Sequence, residues 1–298
     1  MNFNKSLIAA SALVALVGAA HAAVETKTLT TTGATTSVDS NGYTFSQLSG
    51  TGSLVFSSSL ITAVNLAQVQ VAPVAPGATT VTTSTTSTGI VRYTSVSAGA
   101  PVTSLTNNFD GATLNVTNVG TAGGALLTTS KNSATNGPGQ LSISNLQVDL
   151  TNKIIFADVV GNSTAAASGF TYGSVNLSRY ALWSFDSISG PTSFGVNSGT
   201  TTIGSQNTIT GLFLVNASDI ENIFVKTLGL NNTGRSGLTS VNNRVSSTGV
   251  VNTAGFGNIL SNISASVAPV SQVPEPSTYM LMGLGLVGLG LARRRAAR

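Results

Sequence analysis

Cysteine is missing from this chain, and its one histidine, His21, stands close to the amino terminus. Without cysteine there are no disulfides, thiolate metal sites, Fe–S clusters or cysteine nucleophiles. Without a histidine beyond position 21, the body has no Ser-His-Asp triad, histidine general base or histidine metal ligand. Charge is scarce too: 7% of residues are charged, against 41% hydrophobic. That ratio argues against a disordered chain and leaves the surface to be built from Ser, Thr, Asn and Gly. The formal net charge of +4 sits at the ends. Between Ala23 and Val270, Lys27, Arg92, Lys131, Lys153, Arg179, Lys226, Arg235 and Arg244 are balanced by Glu25, Asp39, Asp110, Asp149, Asp158, Asp186, Asp219 and Glu221. A body of zero net charge offers phosphates no basic patch, so nucleic acid is not an expected partner.

What is present at the two ends is a pair of targeting signals. Lys5, the apolar stretch Leu7–Ala20 and the small-residue site Ala20-His21-Ala22 have the layout of a secretory signal peptide, with cleavage before Ala23. At the other end come Val273-Pro274-Glu275-Pro276, a glycine-rich apolar run and then Arg293-Arg294-Arg295. Ser277–Ala292 spans 16 residues, which as a helix rises roughly 24 Å against a hydrocarbon core of about 30 Å. That is short for a permanent anchor. The arginines hold this end on the cytoplasmic side of the inner membrane, and the two prolines keep the motif extended, as a processing site requires. The three ordered parts resemble the carboxyl-terminal signal of the PEP-CTERM family, bacterial surface proteins handled by exosortases. The resemblance implies an exosortase-like processing enzyme as partner, a transient membrane anchor, and a destination at the cell surface or in the extracellular matrix.

Between the ends, strand signals dominate. Leu141 and Ile143, then Leu146, Val148 and Leu150, alternate with polar residues, and the phase slips near Ser144-Asn145 as a bulge would cause. Thr151-Asn152-Lys153 reads as a turn, and 154–160 as the returning strand. Tyr172–Ile188 is a further strand-rich stretch, with Trp183 expected in the core. Two short helices are expected. One covers Ser59–Ala67. The other opens on a capping box, Ser218 with Glu221, and ends at Gly229. The segments that open them, Gly52–Ser59 and Gly211–Ser218, look alike enough to raise an internal duplication. Ala72–Gly89 and Gly120–Gly139 read as long loops. The fold class is therefore mainly β: an antiparallel β-sandwich or barrel-like ectodomain with two short helices and a carboxyl-terminal single membrane-spanning sorting helix. The divisions are 1–22 signal peptide, 23–266 exported domain, 267–276 spacer with the sorting motif, 277–292 membrane span and 293–298 basic tail.

The chemistry open to the body is narrow. Asp149, Asp158 and Asp186 are the carboxylates that strands could bring together for hydrolysis, but turn and surface roles are the default. Asn107-Asn108 with Asp110-Gly111 reads as an ordinary turn rather than a calcium loop. Gly52–Ser57, Leu141–Leu150 and Ile155–Gly161, in that order, look like the β-rich HtaA-type surface domain, some members of which bind haem. The resemblance implies the β-rich fold and no binding residue; Tyr43, Tyr93, Tyr172 and Tyr180 could ligate iron in principle. No enzymatic activity and no cofactor are expected. A structural or adhesive matrix protein linked to exopolysaccharide fits these observations, and a glycan-, haem- or metal-binding surface module remains the alternative.

Overall fold

The structure is a computed structural model that describes residues 24–31, 37–245 and 249–270. The chain runs through β1 (Glu25–Thr30), β2 (Ser37–Val38), β3 (Tyr43–Phe56), α1 (Ser58–Ala67), β4 (Gln70–Val74), β5 (Ala78–Thr85), β6 (Val91–Phe109), β7 (Thr113–Thr121), β8 (Gly124–Thr129), β9 (Gly139–Asp149), β10 (Ile154–Ser163), β11 (Val175–Ser184), β12 (Ser187–Ser189), β13 (Ser193–Gly195), β14 (Thr201–Thr210) and β15 (Phe213–Leu214). Two further helical segments follow. In α2 a π-helical Ile220–Val225 continues as α-helical Lys226–Leu228, and α3 covers Asn232–Asn242. The last strand, β16 (Gly257–Pro269), returns through the middle of the fold.

All strand pairs are antiparallel. The strand path is β12-β14-β16-β3-β6-β7-β9-β10-β11-β15. The 19-residue β6 is the corner. Its first half pairs with β3 and β5, and its second half with β1 and β7. Thus one strand belongs to both walls, and the apolar residues of the two walls meet between them. Phe45, Leu105, Phe109, Leu114, Ile263 and Val267 form one core cluster. A larger cluster joins Leu141, Ile155, Leu182, Trp183 and Phe256 to the three helices. The result is the mainly β, sandwich-like body that the alternation implies.

The sequence patterns decide which residues turn inward. In β10, Ile155, Ala157 and Val159 alternate inward with half-buried neighbours. β9 and β10 pair from Asp149↔Ile154 to Gly139↔Ser163, with the irregularity where Ser144 faces Asp158 and Gln147 faces Phe156. Asn145 takes φ 53° there, so the phase slip in the sequence is a real bulge. Trp183 is buried against Phe256, ring centres 6.0 Å apart.

Several expectations are corrected. Ala72–Gly89 is not a loop: β4 ends there, and β5 forms a projecting hairpin with β6. Threonine favours the extended backbone, but most of this hairpin is exposed on both faces, so no alternation marks it. Gly120–Gly139 likewise contains β8, which pairs with β4 and β9. A third helix, α3, adds to the two expected, capped by Asn231, whose side chain accepts from the N–H groups of Thr233 and Gly234 at 3.0 and 3.4 Å. Gly234, Gly237 and the four hydroxyl residues Thr233, Ser236, Thr239 and Ser240 give α3 poor helix propensity, which hides it. The capping box is not formed. Asp219 holds the cap position without a side-chain bond to the helix backbone, and Glu221 instead pairs with Arg235 of α3. The proposed duplication does not extend to structure either: one unit enters an α-helix from a 14-residue strand, the other a π-helix from a two-residue strand. β16 continues through Pro269 with Val267 buried, so the first residues of the expected spacer are strand.

Candidate functional site

The outer face of the wall β14-β16-β3-β6-β5 follows directly from register. Residues directly opposite one another in antiparallel strands share a face. Because Ile209, Ile259 and Leu54 are paired across three strands and belong to or pack on the core, their neighbours turn outward. One outward row is Thr208, Leu260, Ser53, Gly99 and Ala78. The next rows are Gln206–Asn262–Thr51, Gly204–Ser264–Ser49 and Thr202–Ser266–Ser46. At the other end Ser97 and Thr80 continue the face. None of these positions carries a charge. Apart from the exposed Leu260, Ala78 and the glycines, they form a grid of hydroxyls and amides with strands about 4.8 Å apart and side chains about 6.8 Å apart along each strand. Ser266 Oγ donates to Gln47 Oε1 at 3.1 Å, so the grid is partly ordered by its own bonds. Gly50, opposite the inward Ile263, lets β3 and β16 approach closely behind this face. It adopts φ +149°, and a Cβ there would meet the Asn262 carbonyl oxygen at 2.3 Å.

This surface can donate and accept neutral hydrogen bonds across several strands at once. It has no group that titrates near neutral pH and none that attracts ions. Sequence reasoning foresaw a neutral polar exterior. It missed the grid, because the grid depends on pairing β14, β16, β3 and β6 across more than 200 residues of sequence.

A second polar cluster lies between β11 and α2. Tyr180 Oη donates to the Asp219 carboxylate, with its oxygens at 3.0 and 3.1 Å, and accepts from Asn216 Nδ2 at 3.1 Å. Asp219 is buried, and burial pushes its carboxyl above the usual range, opposed by the bonds from Tyr180 and Asn216. Burial raises Tyr180 as well, helped by the nearby Asp219. This closed network holds the start of α2. Burial raises Tyr172 too; its hydroxyl donates to the Leu230 carbonyl oxygen at 2.9 Å. Tyr93 Oη accepts from the Val71 N–H at 3.3 Å, and Tyr43 packs edge-on against Phe109. The four tyrosines are thus dispersed, and the two with shifted hydroxyls are moved away from the tyrosinate form.

The three carboxylates weighed for hydrolysis are each engaged separately. Asp149 makes the β9–β10 turn: Oδ1 accepts from the N–H groups of Thr151 and Asn152, both at 2.9 Å. Burial would raise this carboxyl, but the Asn152 and Thr151 donors outweigh it and the net shift is downward. Asp158 accepts from Asn145 Nδ2 and the Arg179 N–H. Asp186 takes both its oxygens to Arg244 Nη1, at 2.9 and 3.0 Å. Lys153 bonds the Asp186 carbonyl rather than Asp149. Asp110 makes its expected turn with the N–H groups of Ala112 and Thr113, but Asn107 is no part of it: it lies within β6, fully buried. Among the described residues, no three Asp, Glu, His or Cys side chains group as metal ligands, and no helix is long and apolar enough to cross a membrane.

The sites read at the termini lie outside the described residues: Ala20, Ala22 and Ala23; Val273, Pro274, Glu275 and Pro276; Arg293, Arg294 and Arg295.

The fold and its outer grid define a β-rich body with an uncharged hydrogen-bonding surface. Its tail matches the PEP-CTERM protein-sorting motif over residues 272–295. That signal marks exosortase-sorted surface proteins, which are exported, carry a membrane-anchoring carboxyl-terminal segment and reach a cell-surface or extracellular location. The match covers the signal and not the body. No curated protein matches the chain. Among solved structures the chain is similar to the haem-binding protein HtaB from Corynebacterium glutamicum, at 13% identity and a TM-score of 0.33, over 76% of this chain and 98% of that one. A likeness at this level carries nothing to the chain's chemistry.

Proposed function

We propose that this is a structural or adhesive protein of the extracellular matrix, and that its outer sheet face holds exopolysaccharide. The observation that supports this reading is the uncharged grid of Ser, Thr, Asn and Gln across β14, β16, β3 and β6. Sugar hydroxyls are matched by neutral donors and acceptors, and many modest bonds made together give avidity without any one strong contact. A neutral grid also gives binding that salt does not screen. The sorting signal brings the body to the compartment where such a polymer lies.

The test is retention of the purified full-length protein on the polysaccharide isolated from its own cells. We expect retention to persist from about 0.05 to about 0.5 M salt. Replacing Gln206, Asn262 and Thr51 together by alanine removes one row, and is expected to weaken retention about tenfold or more if each bond contributes about 1 kcal/mol. Elution by salt, or a triple variant that binds as well as the parent, would reject the assignment.

A further inference from the structure

The interior holds a cavity of about 130 Å³ between the two walls. Its lining draws on both core clusters, from Phe45 and Leu105 on one side to Trp183 and Phe256 on the other. No Asp, Glu, Lys, Arg or His lines it. An apolar cavity of about 150 Å³ in a protein core stays dry and accepts a benzene-sized molecule, so this one has room for a small ligand.

Thr121, Thr192, Ser205, Asn207 and Ser261 also reach the lining, and Ser205 and Asn207 bond each other, but Asn107 differs from them in being fully buried with no partner. Asn107 points inward from β6 in step with Leu105 and Phe109, and all three are buried. Its Nδ2 and Oδ1 both lack a hydrogen-bond partner, as does Nε1 of Trp183, which also lines the cavity. Leaving a buried amide unpaired is unfavourable, and an aliphatic residue would suit the strand pattern better. The amide offers two N–H donors and an acceptor oxygen to whatever occupies the space beside it.

We propose that this cavity is a binding site for a small neutral lipophile carrying one hydroxyl or carbonyl group, with Asn107 bonding that group and the apolar walls holding the hydrocarbon part. The ligand is neutral because no side chain in the lining could compensate a buried charge. It is small because the volume admits a ring or a short chain and not a large planar cofactor. The site is separate from the outer grid, which faces solvent on the opposite side of the β3 and β16 wall.

Trp183 is the sole tryptophan, so its indole N–H gives a single resonance that reports on the cavity. The experiment titrates the full-length protein with 1-heptanol and follows that resonance. We expect a saturable shift, with cross-relaxation between the heptanol CH₂–OH protons and the Asn107 amide. Asn107→Leu keeps the branched shape and removes the polar partner. It is expected to weaken heptanol about fivefold, with benzene binding unchanged or tighter. Absence of a saturable shift up to the solubility of heptanol would overturn the proposal. So would equal heptanol affinity in Asn107→Leu, which would leave the amide to bound water. Should that variant fail to fold, the cross-relaxation measurement on the parent protein decides alone: contact with Asn107 supports the site, and its absence sinks it.

Discussion

Asn65 joins a helix to a strand as if it were a strand residue itself. From α1 its Oδ1 accepts from the Tyr93 N–H and its Nδ2 donates to the Tyr93 carbonyl oxygen, both at 2.8 Å. The β5–β6 ladder shifts register between Thr82 and Thr83, where Ser95 and Tyr93 are their partners. Just there the strand would otherwise leave its backbone groups short of a ladder. Asn65→Ala removes two bonds at a half-buried site. At about 1 kcal/mol each, less about 0.5 kcal/mol regained from the better helix propensity of alanine, the net loss is about 1.5 kcal/mol. For a body of this size that corresponds to about 3–6 °C in Tm. Thermal unfolding followed by circular dichroism measures the global loss, and amide exchange at Tyr93 measures the local one. Asn65→Asp keeps the acceptor but turns a second acceptor oxygen towards the Tyr93 carbonyl, and should lose at least as much as Asn65→Ala. A loss below about 0.3 kcal/mol with Tyr93 exchange unchanged would refute the view that this side chain completes the ladder.

The remaining expectations concern charge and close packing. Asp219 has a folded pKa raised by burial, so its charged form costs stability at neutral pH. The parent protein should gain stability as pH falls through that raised value towards the unfolded 3.8. Asp219→Asn should therefore equal or exceed the parent at neutral pH in urea unfolding, and lose that advantage near pH ~4. Glu25 behaves oppositely: Lys27 and the N–H and hydroxyl of Ser40 hold its pKa down to about 2 from 4.5. Its contribution is complete above 4.5 and disappears as pH falls to about 2, so Glu25→Gln should lower Tm at neutral pH and make no difference at the acid end. Gly50→Ala should cost about 3 kcal/mol by pressing on the β16 backbone, visible in urea midpoints.

How much was legible depended on whether a segment has one wet face. The β9–β10 hairpin could be read to its bulge because Leu141, Ile143, Val148, Ile155 and Val159 announce a buried side. The projecting β5–β6 hairpin has no such side, and its threonines look like a loop. α1 is legible from Leu60, Val64 and Ala67 on one face, all buried. α3 is not, because Gly237 is there for close approach to Ala63 of α1, a contact of 3.3 Å for an added Cβ. Asp219 and Glu221 look like helix-capping residues locally, but tertiary partners Tyr180 and Arg235 claim them. Asn107 illustrates the same limit: beside Asn108, Asp110 and Gly111 it looks like turn chemistry, and only the register of β6 puts it in the core.

The two surfaces proposed here answer to different forces, and that makes them separable. The outer grid gains from many neutral hydrogen bonds, each competing with water, so its strength must come from the number of residues engaged at once. The inner cavity gains from removing apolar surface from water, with one amide setting orientation. Lengthening a polysaccharide should therefore strengthen the first and leave the second untouched, while adding a methylene to a small alcohol should strengthen the second until the cavity is filled. β3 and β16 form the partition, turning Phe45, Ile263 and Val267 inward and Ser49, Ser264 and Ser266 outward. Because their alternation is fixed by the pleat, a one-residue slip between these strands would put hydroxyls into the cavity and hydrocarbon onto the grid. The glycine-enforced register at Gly50 and Ile263 is thus what both sites hold in common.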